Sequence, residues 1–150
     1  MRKTAAVLAM AMMLTAAATA QAGLPFSNGQ KAMPATRVLL LFTGLERELL
    51  VALQQDDRQT QERLLSGDFR VWSPDAGQYP LSRQRWLAST TGPAHGAASI
   101  RRLAVRELGR FNVVSFSLSR GTGEEFIVDL WHNVNGWWKL TDRYVSKLGK

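Results

Sequence analysis

The 150-residue sequence contains no cysteine and only two histidines, His95 and His132. Without cysteine the chain can form no disulfide, use no thiolate and carry no cysteine-linked lipid anchor. The two histidines lie far apart, and the sequence contains no HExxH spacing, no G-x-S-x-G turn and no glycine-rich phosphate loop after a strand. We therefore expect no metal site, no cofactor and no nucleophilic triad.

Acidic residues are also few, with 12 Asp and Glu against 19 Lys and Arg. The basic residues are scattered, and no RNA-binding motif with interleaved aromatics is present, so nucleic acid is not an expected partner. Simple strand alternation would place Arg102 and Arg106 on one face. Such a face is either a basic interaction stripe or an ordinary solvated surface.

Long apolar runs are limited to the N-terminus, where residues 1–22 have the pattern of a signal peptide. Arg2 and Lys3 precede an apolar run from Ala5 to Ala18, and Ala20-Gln21-Ala22 supplies the small-x-small cleavage pattern. The run is shorter than the ~20 residues that span a bilayer, so no stable membrane span is expected after cleavage. The prediction is a periplasmic or secreted protein, whose remaining 17 basic and 12 acidic residues give a net charge of +5.

The rest of the chain divides into a flexible lead-in over residues 23–33 and one domain over residues 34–150. Apolar residues recur every three or four positions from Val38 to Leu53, which predicts an amphipathic helix that Gly44 could break or bend. A second helix is predicted from Arg58 to Leu65, closed by Gly67. A strand over 69–73, a turn over 74–77 and a short helix capped by Ser82 follow.

The C-terminal half predicts an antiparallel sheet. Asn135-Gly136 between two apolar runs is the strongest hairpin signal in the sequence. The order of helices followed by strands indicates an α+β domain, with the helices packed on one face of a curved, mostly antiparallel sheet. The four predicted strands are Ile100–Leu108, Asn112–Leu118, Glu125–Val134 and Trp137–Val145.

Three local stretches resemble the nuclear transport factor 2-like superfamily, in its SnoaL-like branch. They are LERELLVALQQDD with ERLLSGDFRVWSPDAG, then LSRQRWLAS, then FIVDLWHNVNGWWKLTDRYVS, and together they extend over about residues 45–146. The resemblance implies a cone-shaped domain in which a bent sheet closes over helices around an apolar pocket. It also implies a homodimer formed through the outer face of the sheet, which the apolar residues on both faces of the last hairpin favour.

The superfamily contains both enzymes and non-catalytic binders, so the fold alone does not identify the function. In the ketosteroid isomerases that the chain resembles, the position of Asp129 is occupied by a pocket acid that an apolar environment keeps protonated. Their general base falls on Ser73 here and their tyrosine donor near Leu49, so the isomerase set is incomplete. The sequence therefore favours a binder of a small hydrophobic ligand without evident catalytic machinery, with a pocket lined by Ser73, Trp86, Asp129, Trp131 and Tyr144.

Two alternatives remain at this stage. One is an isomerase- or cyclase-like enzyme in which Asp129 works with Asp142 or Tyr144. The other is a protein-interaction domain of the cell envelope with a filled cone. The register of the last hairpin matters to both, because a regular two-residue turn places Asp129 opposite Asp142, whereas a bulge places Arg143 beside it as an ion-pair partner.

Overall fold

The computed structural model describes residues 34–90 and 97–148. The predicted signal peptide, the lead-in and His95 lie outside the described residues. Within the described residues, no helix combines the length and apolarity needed to cross a bilayer. That part of the chain forms an α+β domain, as predicted, with the elements α1 (Ala35–Gln54), α2 (Arg58–Leu64), β1 (Leu65–Trp72), β2 (Leu81–Ser82), α3 (Arg83–Ser89), β3 (Ala98–Leu108), β4 (Phe111–Arg120), β5 (Gly123–Val134) and β6 (Trp137–Lys147).

The helices begin and end largely where local signals indicate. Helix α1 continues without interruption through Gly44. Asp57 caps α2 by accepting a hydrogen bond from the Thr60 N–H, and Ser82 caps α3 as predicted. The predicted closure of α2 by Gly67 is wrong, because the chain passes directly from α2 into β1 and Gly67 lies inside that strand.

The sheet of the described residues has six strands in the order β2-β1-β6-β5-β4-β3, with β1 parallel to β6 and the other neighbours antiparallel. The β5–β6 turn confirms the hairpin prediction, with φ of 53° at Asn135 and 88° at Gly136. Positive φ at both central residues is the conformation that a two-residue type I′ turn requires.

The β5–β6 hairpin contains a bulge that decides which side chains face inward. Near the turn, Trp131 pairs with Leu140 in the regular register, but Leu130 pairs with Asp142, so that Thr141 is the additional residue. Asp129 consequently pairs with Arg143. Of the two registers that the sequence left open, the bulged one is observed.

The core lies between α1 and the inner face of the sheet, which we define as the face that carries Val114, Ile127 and Leu140. Trp131 and Phe42 are fully buried there, with their rings edge to face at 6.1 Å between centroids. Burial of large aromatic side chains contributes strongly to the stability of a domain that has no disulfide. The buried apolar residues are Val38, Phe42, Leu49, Leu53, Leu64, Leu65, Phe69, Val71, Trp86, Leu87, Val114, Phe116, Leu118, Ile127, Trp131 and Leu140.

Strand β3 departs from simple alternation at Arg102. Its pairing with β4 shifts between Arg101 and Ala104, and Arg102 has a φ of 54°. Side chains therefore do not alternate regularly along β3, and the prediction that simple alternation places Arg102 and Arg106 on one face does not apply. Instead, Arg101 and Arg106 pair with the outward-facing Ser117 and Val113.

Candidate functional site

Three ionisable side chains meet inside the domain and form what we call the buried charge cluster: Glu46 on α1, Asp129 on β5 and Arg143 on β6. Glu46 is 1% exposed, Asp129 is fully buried and Arg143 is 6% exposed. The Nε of Arg143 donates to Asp129 Oδ1 at 2.8 Å, and its Nη2 reaches Glu46 Oε2 at 3.2 Å and also contacts Asp129 Oδ2. One guanidinium thus links α1 to both strands of the last hairpin.

Aromatic side chains hold the buried charge cluster in position. The Nε1 of Trp131 donates to Glu46 Oε1 at 2.7 Å, which uses the second oxygen of that carboxyl. The guanidinium carbon of Arg143 lies 5.7 Å from the ring centroid of Trp86, within the range of a cation–π contact. Trp86 in turn packs edge to face on Phe69 at 5.1 Å.

Burial and neighbouring charges shift the pKa values of Glu46 and Arg143 in this cluster. Burial raises the pKa of Glu46 well above its ordinary value, and repulsion by Asp129 raises it further, although Arg143 opposes both. Burial also opposes the charge on Arg143, but its attraction to Asp129, its hydrogen bonds to that carboxylate and its attraction to Glu46 outweigh burial, so the pKa of Arg143 is raised. Burial and the neighbouring Asp129 thus favour the neutral form of Glu46, whereas both carboxyl groups favour the charged form of Arg143.

A small cavity of about 10 Å³ lies next to the cluster, with Glu46 and Arg143 in its wall. Its apolar lining comes from α1, β3 and β4, and the side chain of Arg120 completes it. This volume is about the size that one water molecule needs. The full lining is Glu46, Leu50, Leu53, Ile100, Phe116, Leu118, Arg120 and Arg143.

Arg120 is the unpaired charge of this cavity. Its Nε is buried without a hydrogen-bond partner, and within the described residues its side chain forms no ion pair. Desolvation lowers the pKa of Arg120, and Arg143 lowers it further, while Glu125 opposes the shift by attraction. An arginine remains charged under these conditions, so the cavity presents a cation without a bonded partner.

The structure separates the residues that the sequence suggested for the pocket. Asp129, Trp131 and Trp86 lie on the interior side, although none of them lines the 10 Å³ cavity. Ser73 follows β1 and accepts a hydrogen bond from the Asp75 N–H at 3.3 Å, as the cap of a short turn. Tyr144 is 47% exposed on the outer face of the sheet.

The two proposed partners of Asp129 in acid–base chemistry are on the opposite face from it. Asp142 accepts a hydrogen bond from Trp72 Nε1 at 3.2 Å and forms an ion pair with Arg70 at 3.1 Å, and Tyr144 stacks on Trp72 at 6.0 Å between ring centroids. The bulge causes this separation, because it turns Arg143 inward between two outward-facing neighbours. Asp129 is therefore not paired with Asp142 or with Tyr144.

Sequence reasoning missed Glu46 and Arg120. Glu46 lies on the apolar face of α1, between Phe42 and Leu49, and an acid on such a face was the available signal of a buried partner. Arg120 gave no such signal, because its position at the end of β4 is that of an ordinary hairpin residue. Within the described residues, no group of three or more His, Asp or Glu side chains could hold a metal ion.

Neither a protein-family model nor a curated protein sequence matches this chain. Solved structures do match. An NTF2-like protein from Cytophaga hutchinsonii aligns with a TM-score of 0.62 and 19% identity, covering 77% of this chain and 100% of that one. An NTF2-like protein of unknown function from Silicibacter pomeroyi aligns with a TM-score of 0.64 and 16% identity, covering 77% and 100%.

A third match is the association domain of CaMKII from C. elegans, with a TM-score of 0.64 and 16% identity, covering 75% of this chain and 97% of that one. At these identities the likeness establishes the fold. The chain has the NTF2-like fold that its sequence motifs indicated.

Proposed function

We propose that this chain is an exported, dimeric NTF2-like domain that binds a small organic acid at the cavity between Arg120 and Arg143. The observation that carries the proposal is the half-buried Arg120, which lines a cavity and has no hydrogen-bond or ion-pair partner within the described residues. Buried polar groups are normally paired, and a partly buried guanidinium is paired best by a carboxylate.

Charge balance supports an anionic ligand. Arg143 is paired with Asp129 and Glu46, whereas Arg120 at the cavity wall has no ion pair within the described residues. Glu125 attracts Arg120 but forms no ion pair with it. A negatively charged ligand group would therefore supply the partner that Arg120 lacks.

The size of the cavity limits the rest of the ligand. A volume of about 10 Å³ cannot hold an organic molecule, so binding at this cavity requires its walls to move apart. Arg120 can swing outward without breaking a hydrogen bond or an ion pair, and this movement would admit a carboxylate with a short apolar tail. Leu50 and Leu53 of α1 and Ile100 of β3 would contact that tail.

Binding of hexanoate, compared with 1-hexanol and hexylamine, tests this proposal by isothermal titration calorimetry. The three probes share a six-carbon chain and differ in their head group. We expect hexanoate to bind at least about tenfold more tightly than hexanol, equivalent to about 1.4 kcal/mol. We expect hexylamine not to bind, because its charge repels both arginines.

The matched variants are Arg120→Gln and Arg101→Gln. Arg120→Gln should weaken hexanoate binding about tenfold, whereas Arg101→Gln removes the same charge from the exposed outer face of β3 and should leave binding unchanged. Equal binding of hexanoate and hexanol, or equal binding by the two variants, would overturn the acid-binding site.

Dimerisation is supported by the outer face of the sheet. Phe126 is 39% exposed and Tyr144 is 47% exposed, on adjacent strands, and the half-buried Val128 pairs with Tyr144. A contiguous apolar patch of this kind marks an interaction surface. The likeness to an association domain is a likeness of fold, and the partner we propose for this patch is a second copy of the chain.

The geometry does not favour the isomerase- or cyclase-like alternative, because Asp129 is bound by Arg143 and separated from Asp142 and Tyr144. An envelope-interaction domain is the second candidate. The largely filled interior favours it, and it would use the same outer patch for a different protein.

A further inference from the structure

A groove of about 440 Å³ lies at the hairpin end of β6, away from the buried charge cluster. It forms where β1 and β6 lose their register: Leu65 pairs with Leu140 and Arg70 with Asp142, so β1 has four residues between these pairs where β6 has only Thr141. The volume is within the range of about 300–1,000 Å³ that small-molecule sites have. Polar side chains in its wall are Ser66, Asp68, Arg83, His132, Lys139 and Thr141.

Two nitrogen atoms in the groove wall are buried without a hydrogen-bond partner, Arg83 Nε and His132 Nε2. The Arg83 side chain has no ion pair within the described residues, although it begins α3 next to the sheet. The His132 ring is held by stacking on Phe111, with 4.4 Å between ring centroids. Both residues line the groove, and each has a nitrogen whose hydrogen-bonding capacity the described residues leave unused.

Lys139 adds a third donor whose position is fixed. Its ammonium group donates to the Glu62 carbonyl at 3.4 Å and to the Arg63 carbonyl, at the C-terminal end of α2. Because an ammonium group has three N–H donors, one remains for the groove. Arg83, His132 and Lys139 come from three different elements, α3, β5 and β6, and so approach the groove from different parts of the fold.

Two acidic side chains in the groove wall affect which ligands the groove can bind. Asp68 accepts a hydrogen bond from Ser66 Oγ at 2.7 Å, and this bond is the largest cause of the lowered pKa of Asp68, which is therefore ionised at neutral pH. Glu62 also lines the groove. These two acids offset Arg83 and Lys139, so general charge attraction is weak here and binding must depend on directed hydrogen bonds.

We propose that this groove binds the phosphate group of a small phosphorylated molecule, with Arg83, His132 and Lys139 as donors. A tetrahedral phosphate offers acceptors in several directions, which suits donors from three elements better than a planar carboxylate does. The remaining volume accommodates the organic part of the ligand, next to Gly67 and Val134.

Titration of the imidazole signals with glycerol 3-phosphate by NMR tests the proposal directly. The chain has two histidines, so the spectrum contains one signal from His132 and an internal reference from His95. We expect the His132 signal to move and saturate with a dissociation constant of about 1 mM or lower, while the His95 signal stays in place. Glycerol without phosphate should move neither.

Arg83→Gln should weaken glycerol 3-phosphate binding at least about tenfold, and Arg83→Lys, which retains the charge without the planar fork, should have an intermediate effect. The matched control is Arg85→Gln, an exposed residue of the same helix that is not part of the groove wall. Circular dichroism would establish that each variant is folded. No saturable shift of His132, an equal shift with acetate, or unchanged binding by both Arg83 variants would overturn the phosphate site.

Discussion

At the scale of single residues, Arg143 has the largest effect on the electrostatics inside this domain. Its guanidinium compensates two buried carboxyl groups and contacts an indole ring, so its removal would leave Asp129 and Glu46 buried without a cation. Breaking a buried pair in this way typically costs about 3–5 kcal/mol. In the pair of Arg70 with Asp142 the arginine is half exposed, so this pair is less fully removed from water than the buried charge cluster.

Glu46→Gln should change the pH dependence of stability. Burial raises the pKa of Glu46 in the folded protein above its ordinary value of 4.5, so between these two values the folded chain binds more protons than the unfolded chain. Stability from this group is complete below the lower value and is lost as pH rises through the folded pKa. Relative to Glu46→Gln, the wild type should therefore lose stability as pH rises from 5 to 8, measured by urea unfolding.

The control for this measurement is Glu48→Gln, on the exposed side of α1, where the carboxylate pairs with Arg63. The difference in stability between this variant and the wild type should stay constant over the same pH range. If the free energies of unfolding of Glu46→Gln and the wild type changed with pH in parallel, Glu46 would ionise equally in the folded and unfolded chains.

At the scale of elements, the bulge at Thr141 aligns the last hairpin. Trp131 and Asp129 are two residues apart on β5, whereas the inward residues that they face, Leu140 and Arg143, are three residues apart on β6. Without an additional residue the period of two would turn either Leu140 or Arg143 outward. The bulge resolves this mismatch.

Deletion of Thr141 should therefore be tolerated, because it makes the hairpin regular and retains the pairing of Asp129 with Arg143. We expect a folded protein that is less stable by a few kcal/mol, since the Thr141 hydrogen bond to the Leu130 carbonyl is lost and the β1–β6 pairing is strained. Deletion of Leu130, the matched change on the opposite strand, would turn Asp129 and Trp131 to opposite faces and should prevent folding. Circular dichroism and thermal unfolding would compare the two deletion variants. A Leu130 deletion that folds, together with a Thr141 deletion that does not, would contradict this account.

At the scale of the whole molecule, the fold presents two surfaces with different roles. The inner face of the sheet is closed by α1 around the aromatic core and the buried charge cluster. The outer face carries exposed aromatic residues on adjacent strands. The proposed acid site therefore lies beside the inner face, and the proposed dimer contact lies on the outer face.

We expect the exported protein to begin at Gly23 and to have the mass of a dimer at micromolar concentration, measured by native mass spectrometry. The double variant Phe126→Asp with Tyr144→Asp should be monomeric, because two carboxylates per copy would be placed in an apolar interface. The control Leu40→Asp introduces the same charge at a residue of α1 that is 67% exposed and should remain dimeric. A folded wild-type monomer would indicate that the outer patch serves a different protein.

The sequence by itself determined the features that depend on neighbouring residues. The Ser82 cap, the Asn135-Gly136 turn and the helix and strand order are readable because each results from local hydrogen bonding and backbone preference. The quoted motifs also identified the NTF2-like fold, since their order along the chain follows the order of its elements.

Only the tertiary structure decided the register, the cluster and the cavity. Arg143 and Glu46 are 97 residues apart, and Trp131 and Glu46 are 85 residues apart, so no local pattern connects them. The bulge is chosen because it buries Arg143 against two acids rather than exposing it, a free-energy difference that exists only once α1 covers the sheet. For the same reason the unpaired Arg120 is visible only in the folded chain, where the cavity next to it has formed.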